Sequence, residues 1–262
     1  MERIAIITGG SSGIGLETAR ALAAAGCRVY EFSRRDAAFD FMRHMRVDVT
    51  DEQAVREAMD VVVQEAGRID ILINNAGYGI SGAFEFTESA DSHRLMEVNL
   101  FGMDNMIRAV LPYMRRAGRG RIVNLSSVAG PLPIPFQAWY SISKAAVSAM
   151  TMAVANEVKP YGVSVCCVMP GDIKTGFTAA RRKSIAGDAE YGGRIEKSVA
   201  RMEHDEQTGM SPATAGRFIA RLALKKRVAP YNTIGIVYKG CVLLSKLLPG
   251  PLIRFILGKM YG

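Results

Sequence analysis

The strongest constraint on the fold lies in the first fifteen residues, where the apolar run Ile4-Ala5-Ile6-Ile7 leads directly into Thr8-Gly9-Gly10-Ser11-Ser12-Gly13-Ile14-Gly15. Glycines there permit a tight turn, let backbone N–H groups approach a pyrophosphate, and allow a following helix to pack closely with its positive end toward the phosphates. A glycine-rich turn by itself is unspecific and serves as an ordinary strand-to-helix connection. Its place between an amino-terminal strand and a helix favours a dinucleotide site at Gly9, Ser11, Ser12, Gly13, Ile14 and Gly15.

Downstream, short apolar runs alternate with longer amphipathic stretches, the pattern of a parallel sheet covered by helices. Strands are predicted at Ile4–Ile7, Arg28–Phe32, Ile69–Ile73, Arg121–Leu125 and Val163–Val168, with a further strand closing at Asp48-Val49. Helices are predicted at Gly13–Ala25, Asp51–Ala66, Asp91–Arg116, Trp139–Lys159 and Pro212–Ala223. The 262 residues, 49% of them apolar, suit a single α/β domain, a doubly wound sheet with helices on both faces. Its core is expected over 1–172. A mobile substrate segment rich in charge, Gly and Met follows over 173–211, and an apolar, basic tail over 234–262.

The net charge of +8 is confined to the end of the chain. Before Gln207 there are 24 basic and 25 acidic residues; from Gln207 onward there are nine basic residues and no acid. A membrane surface or a subunit contact suits that basic, apolar segment better than nucleic acid, for which the sequence carries no reading motif. Cys27, Cys166, Cys167 and Cys241 have neither paired nor metal-ligand spacing, Cys166 and Cys167 falling on opposite sides of a strand. A reducing, cytoplasmic setting is expected, and no metal site. The three histidines, His44, His93 and His204, lie in polar stretches and are expected at the surface.

The second strand ends Glu31-Phe32-Ser33-Arg34-Arg35, where an NAD site usually offers an acid to the adenosine ribose. A guanidinium binds a 2′-phosphate bidentately, so Ser33, Arg34 and Arg35 favour NADP(H) over NAD(H), with Arg34 as lead contact. Glu31 shares a face with Ser33 but lies two residues too far back to stand in easily for the ribose acid.

Tyr140 and Lys144 are one helical turn apart in Tyr-Ser-Ile-Ser-Lys, so they share a face. An ammonium beside a phenol favours phenolate and is expected to bring Tyr140 toward working pH as a general acid/base. Ser127 lies thirteen residues upstream, Asn99 before it, and Pro170-Gly171-Asp172-Ile173-Lys174-Thr175 beyond. With Asp48-Val49, Asn75-Ala76-Gly77 and the glycine-rich turn, these motifs fall in the order and spacing of one family. From Thr8 to Thr175 the chain resembles the short-chain dehydrogenase/reductases.

That resemblance implies a Rossmann-like fold and assigns roles. Tyr140 would transfer the proton and Ser127 would hold the substrate oxygen. Lys144 would bind the nicotinamide ribose and lower the tyrosine pKa, and Asn99 would anchor a water linking Lys144 to solvent. Asp48 and Val49 would meet the adenine; Asn75, Ala76 and Gly77 would line the adenosine ribose side; Ile173 and Thr175, following Pro170 and Gly171, would fix the carboxamide. Asp48 and Asn75 are equally the kind of residue that makes loop and strand-end hydrogen bonds.

The tail, Tyr238 to Tyr261, is broken by Pro249-Gly250-Pro251 and carries basic residues, so it falls short of a membrane span and reads as two amphipathic helices. Similar tails occur in relatives of the 17β-hydroxysteroid and retinol dehydrogenase type. A lid over an apolar pocket, a peripheral membrane contact and a subunit contact are its three candidate uses. Val128, Phe136 and Trp139, with Met202 and Met210, are candidate substrate contacts or core. The expected activity is NADP(H)-dependent interconversion of a secondary alcohol and a ketone on a lipophilic substrate such as a steroid, by a homodimer or homotetramer. The alternatives are a 3-oxoacyl-thioester or general carbonyl reductase and, outside enzymes, a dinucleotide-sensing scaffold.

Overall fold

In the computed structural model, which describes residues 2–36 and 38–262, period-two burial builds two core layers. Along β1 (Arg3–Thr8), Ile4 and Ile6 enter one layer while Ala5 and Ile7 enter the other. After the turn come α1 (Gly13–Ala24), β2 (Cys27–Ser33), β3 (Arg43–Arg46), α2 (Glu52–Ala66), β4 (Ile71–Asn74) and the two-residue β5 (Ile80–Ser81). Next are α3 (Ser89–Met96), a π-helical turn at Glu97–Phe101, α4 (Gly102–Arg116), β6 (Gly120–Leu125), α5 (Ala138–Val158) and β7 (Val163–Met169). The chain closes with α6 (Phe177–Ala180), β8 (Arg182–Lys183), α7 (Arg194–Thr208), α8 (Pro212–Leu224), β9 (Tyr231–Thr233), α9 (Ile236–Leu247) and α10 (Gly250–Tyr261).

Seven strands pair in the order β3-β2-β1-β4-β6-β7-β9, every neighbouring pair parallel. The core formed with Tyr30, Phe32, Met59, Met106 and Ile107 covers one face, and α1 with α8 covers the other. Gly216 of α8 lets those two helices touch, since a Cβ there would stand 2.5 Å from the Glu17 carbonyl carbon. Strand order reverses between β1 and β4, and such a switch point opens a crevice beyond the carboxyl ends of the strands.

Four features depart from the sequence reading. The third strand stops at Arg46, so Asp48 and Val49 follow it rather than close it. The helix expected over 91–116 is interrupted by the π turn that carries Asn99. β9 adds a seventh strand at the edge of the sheet. The segment 173–211 holds α7, whose Ile195, Ser198, Val199 and Met202 are buried. Cys166 and Cys167 do face opposite layers.

Candidate active site

The crevice gathers Asn99, Ser127, Tyr140 and Lys144. Tyr140 and Lys144 sit in the first two turns of α5, both buried, with the Lys144 Nζ over the Tyr140 ring at 5.6 Å from its centroid. Lys144 Nζ donates to the Leu125 carbonyl at 2.9 Å, which ties α5 to the end of β6. Ser127 follows β6; its Oγ accepts the Ala129 N–H at 3.1 Å, and Val128 N–H donates to the Pro170 carbonyl at 3.0 Å. Asn99 Oδ1 accepts the Tyr78 N–H at 3.0 Å, and its Nδ2 donates to the Tyr78 carbonyl at 2.9 Å and to Ser143 Oγ at 3.2 Å. The π turn widens the helix where Asn99 turns inward, a local distortion common at functional sites. Gly77 keeps that junction open, because a Cβ there would stand 3.0 Å from Asn99 Oδ1 and 3.7 Å from Lys144 Nζ.

A dinucleotide fits the cradle next to this group. Gly9 and Gly13 adopt φ of +63° and +56°, a region costly for side-chain residues. Ser12 caps α1 with extended backbone and no side-chain bond, which leaves the N–H groups of the first turn to an anion. Asn75 clamps the turn: its Nδ2 donates to the carbonyls of Thr8 at 3.0 Å and Gly9 at 2.9 Å, and its own N–H donates to Thr8 Oγ1. The Ala76 N–H also donates to Thr8 Oγ1. Asp48 is engaged by Thr50 and lies 3.9 Å from Arg34, while the Val49 carbonyl accepts from Asn105. Ile173 pairs with Met210, whose backbone braces the loop between Asp172 and Lys174, and Thr175 lies against Gly13.

Glu31 was underrated in the sequence. It is fully buried beneath the turn, its Oε1 accepting the Gly10 N–H at 2.8 Å and its Oε2 meeting Ser33 Oγ at 3.2 Å and His44 Nδ1 at 2.6 Å. The expectation of a surface His44 is corrected, for its side chain is only 15% exposed and bonded to Glu31. Strand register makes this contact: Ile7, Glu31 and His44 are successive partners across β1, β2 and β3. So engaged, Glu31 is withdrawn from the ribose, and the exposed end of β2 presents Arg34 and Arg35. Replacing Glu31 with alanine is expected to raise KM for the dinucleotide about tenfold with kcat changed less than about threefold, and glutamine is expected to recover part of the loss. Steady-state kinetics on the two variants checks this.

On the substrate side, the Phe177 ring lies 5.7 Å from that of Tyr140, and Trp139 stacks on Phe84 at 5.5 Å. Phe136 holds φ of +57°, strain that a bulky residue rarely bears, and packs edge-on against Tyr191. Val128 packs toward Cys167, Met169 and Val242, and Met202 toward Ala83, Ile195 and Val199. In this arrangement Met202 is a core residue and Met210 a brace of the cofactor loop.

The family model described as short chain dehydrogenase matches residues 3–186. The chain belongs to that family. This dehydrogenase is 42% identical over 234 residues to the 3-ketodihydrosphingosine reductase of Bacteroides thetaiotaomicron, covering 88% of this chain and 87% of the relative. A short-chain dehydrogenase structure from Streptomyces avermitilis superposes with a TM-score of 0.84 at 31% identity, over 99% of this chain and 96% of that one. The structure of ElxO with NADP bound gives 0.76 at 25% identity, over 92% and 100%. The protein is thus an oxidoreductase of CH–OH and C=O groups on small molecules.

Electrostatics in the dehydrogenase correct one expectation. Burial pushes the Tyr140 phenol up to about 12, with hydrogen bonding to Ser127 and the Arg181 charge pulling the other way. Burial lowers the Lys144 ammonium to about 8. The phenol is therefore protonated through the neutral range. The group that loses its proton first as pH rises is Lys144. Ketone reduction is expected to fall as pH rises through about 8, and Lys144→Arg is expected to move that fall upward; a kcat/KM profile against pH measures both.

Proposed function

We propose that this dehydrogenase uses NADPH to reduce the ketone of a long-chain 3-keto amphiphile, a 3-ketodihydrosphingosine or a close analogue, to the secondary alcohol. The observation that carries the substrate is the likeness to a 3-ketodihydrosphingosine reductase across most of both chains. The aromatic surroundings of Tyr140, with Tyr78, Trp139 and Phe177 in its apolar cluster, favour an apolar chain beside the reacting carbonyl. The keto base is preferred to the steroid expected from the tail because the 42% identity to a 3-ketodihydrosphingosine reductase spans most of both chains.

In the reaction Ser127 donates a hydrogen bond to the ketone oxygen, and Tyr140 delivers the one proton to that oxygen as charge develops on it. Lys144 keeps a positive charge next to the phenol, and Asn99 holds the chain at Tyr78 and Ser143 around it. The nicotinamide supplies the hydride when the dinucleotide is bound. Gly9, Ser11, Ser12, Gly13, Ile14 and Gly15 receive its pyrophosphate. Arg34, with Ser33 and Arg35, receives a 2′-phosphate. The working form is a homodimer or homotetramer in a reducing cytoplasm, and the four cysteines are free.

A series of 3-ketones of increasing chain length tests the substrate. Each buried methylene contributes about 0.8 kcal/mol, so kcat/KM with NADPH is expected to rise several-fold per methylene until the chain outgrows the site. A flat series, or faster turnover of a compact steroid ketone, would contradict the reading.

A further inference from the structure

The two tail helices leave a large apolar surface outside the packed body. On α9, Val242 turns inward against Cys167 and Met169, and the Tyr238 hydroxyl donates to Asp172 at 2.5 Å. The opposite side carries Ile236, Val237, Leu243, Leu244 and Leu247, with Ile236 89% and Leu247 71% exposed. At about 100° per residue these five fall within an arc of about 120°, and Lys239 and Lys246 line one edge of it. On α10, Tyr261 packs toward α7 and bonds Asp205 at 3.1 Å, while Leu252, Phe255, Ile256 and Met260 are exposed around Lys259.

Two occupants compete for such a surface, and charge separates them. A second copy of the tail would set Lys239, Lys246, Arg254 and Lys259 against their own counterparts, with no acid anywhere from Gln207 onward to offset them. A bilayer bearing anionic headgroups takes the leucine stripe into its interface and the flanking ammonium groups at its surface. Each helix has twelve residues, about 18 Å, too short to cross a hydrocarbon core of about 30 Å. Among the described residues no helix is long and apolar enough to cross.

We infer that α9 and α10 lie along an anionic membrane surface and hold the carboxyl edge of the sheet against it. The coupling to the catalytic edge is direct. Tyr238 grips Asp172, in the loop that carries Ile173 and Thr175, and Gly171 lacks a side chain because a Cβ there would stand 2.3 Å from the Tyr238 ring. Delivery of a membrane-resident ketone by this route rests on the substrate proposed above; the docking itself does not.

The test is sedimentation of the full-length protein with vesicles of one part phosphatidylglycerol to two of phosphatidylcholine, and with phosphatidylcholine alone. Binding is expected to the anionic vesicles and to weaken as salt is raised from about 0.1 M to about 1 M, where screening shortens from about 10 Å to about 3 Å. The pairs Leu243→Asp with Leu247→Asp, and Lys239→Glu with Lys246→Glu, are each expected to lower binding at least about tenfold, with turnover of a short water-soluble ketone unchanged. Absence of binding by the wild-type protein, or binding by either double variant undiminished from the wild type, would overturn the inference. So would a leucine double variant that drops to a smaller oligomer in analytical ultracentrifugation, which would make the stripe a subunit contact. Loss of turnover in every form would instead count against the proposed reaction.

Discussion

Tyr140→Phe is expected to lower kcat for ketone reduction by about 10²- to 10⁴-fold while the dissociation constant for NADPH moves only a few-fold. The substitution is clean because the ring keeps its packing among Ile80, Leu95, Ala129 and Phe177 and only the hydroxyl is lost. A phenol held up to about 12 by burial is a weak acid, but it stays protonated at neutral pH, and the developing alkoxide is a stronger base than the ketone it came from. Ser127 remains to share that charge, so residual activity above the uncatalysed rate is expected. Stopped-flow measurement of NADPH oxidation, with cofactor binding followed by fluorescence, separates the two effects. An unchanged kcat would remove Tyr140 from the chemistry.

Arg34→Ala is expected to raise KM for NADPH by about tenfold to a hundredfold and to leave that for NADH nearly unchanged. A charge-assisted guanidinium–phosphate pair contributes about 1.5–3 kcal/mol, and only NADPH has the phosphate to lose. Arg34 is well placed for a ligand, its side chain 62% exposed and only loosely paired with Asp48 at 3.9 Å. The nearest buried acid, Glu31, is bonded to Gly10, Ser33 and His44 and so does not compete for the ribose hydroxyls. Equal losses with both cofactors would mean that Arg34 supports the loop and not the phosphate.

What was legible in the sequence was local. The glycine-rich turn and the Tyr140 and Lys144 pair are visible as short spacings, and the order of the motifs from Thr8 to Thr175 is what gives them a reading. Glu31 and His44 meet only because β2 and β3 are parallel and in register, and the twelve residues between them in the chain hide that pairing. The π turn at Asn99 has no marker in residue type, because the helical pattern continues on both sides of it. For Met202 the sequence leaves substrate contact and core equally open, and helical periodicity places it on the buried face of α7 with Ile195 and Val199. The Tyr140 phenol lies above its ordinary pKa, against expectation, because desolvation on burial outweighs the Ser127 hydrogen bond and the Arg181 charge that pull it down.

The most direct test of the central claim is to incubate the protein with 3-ketodihydrosphingosine and NADPH deuterated at the transferable position of the nicotinamide, then to analyse the lipid by mass spectrometry. A saturated amino diol with a single deuterium on the new carbinol carbon is the predicted product, formed by the wild-type protein and lost in Tyr140→Phe. Unreduced ketone after prolonged incubation, or an alcohol without the label, would contradict the account.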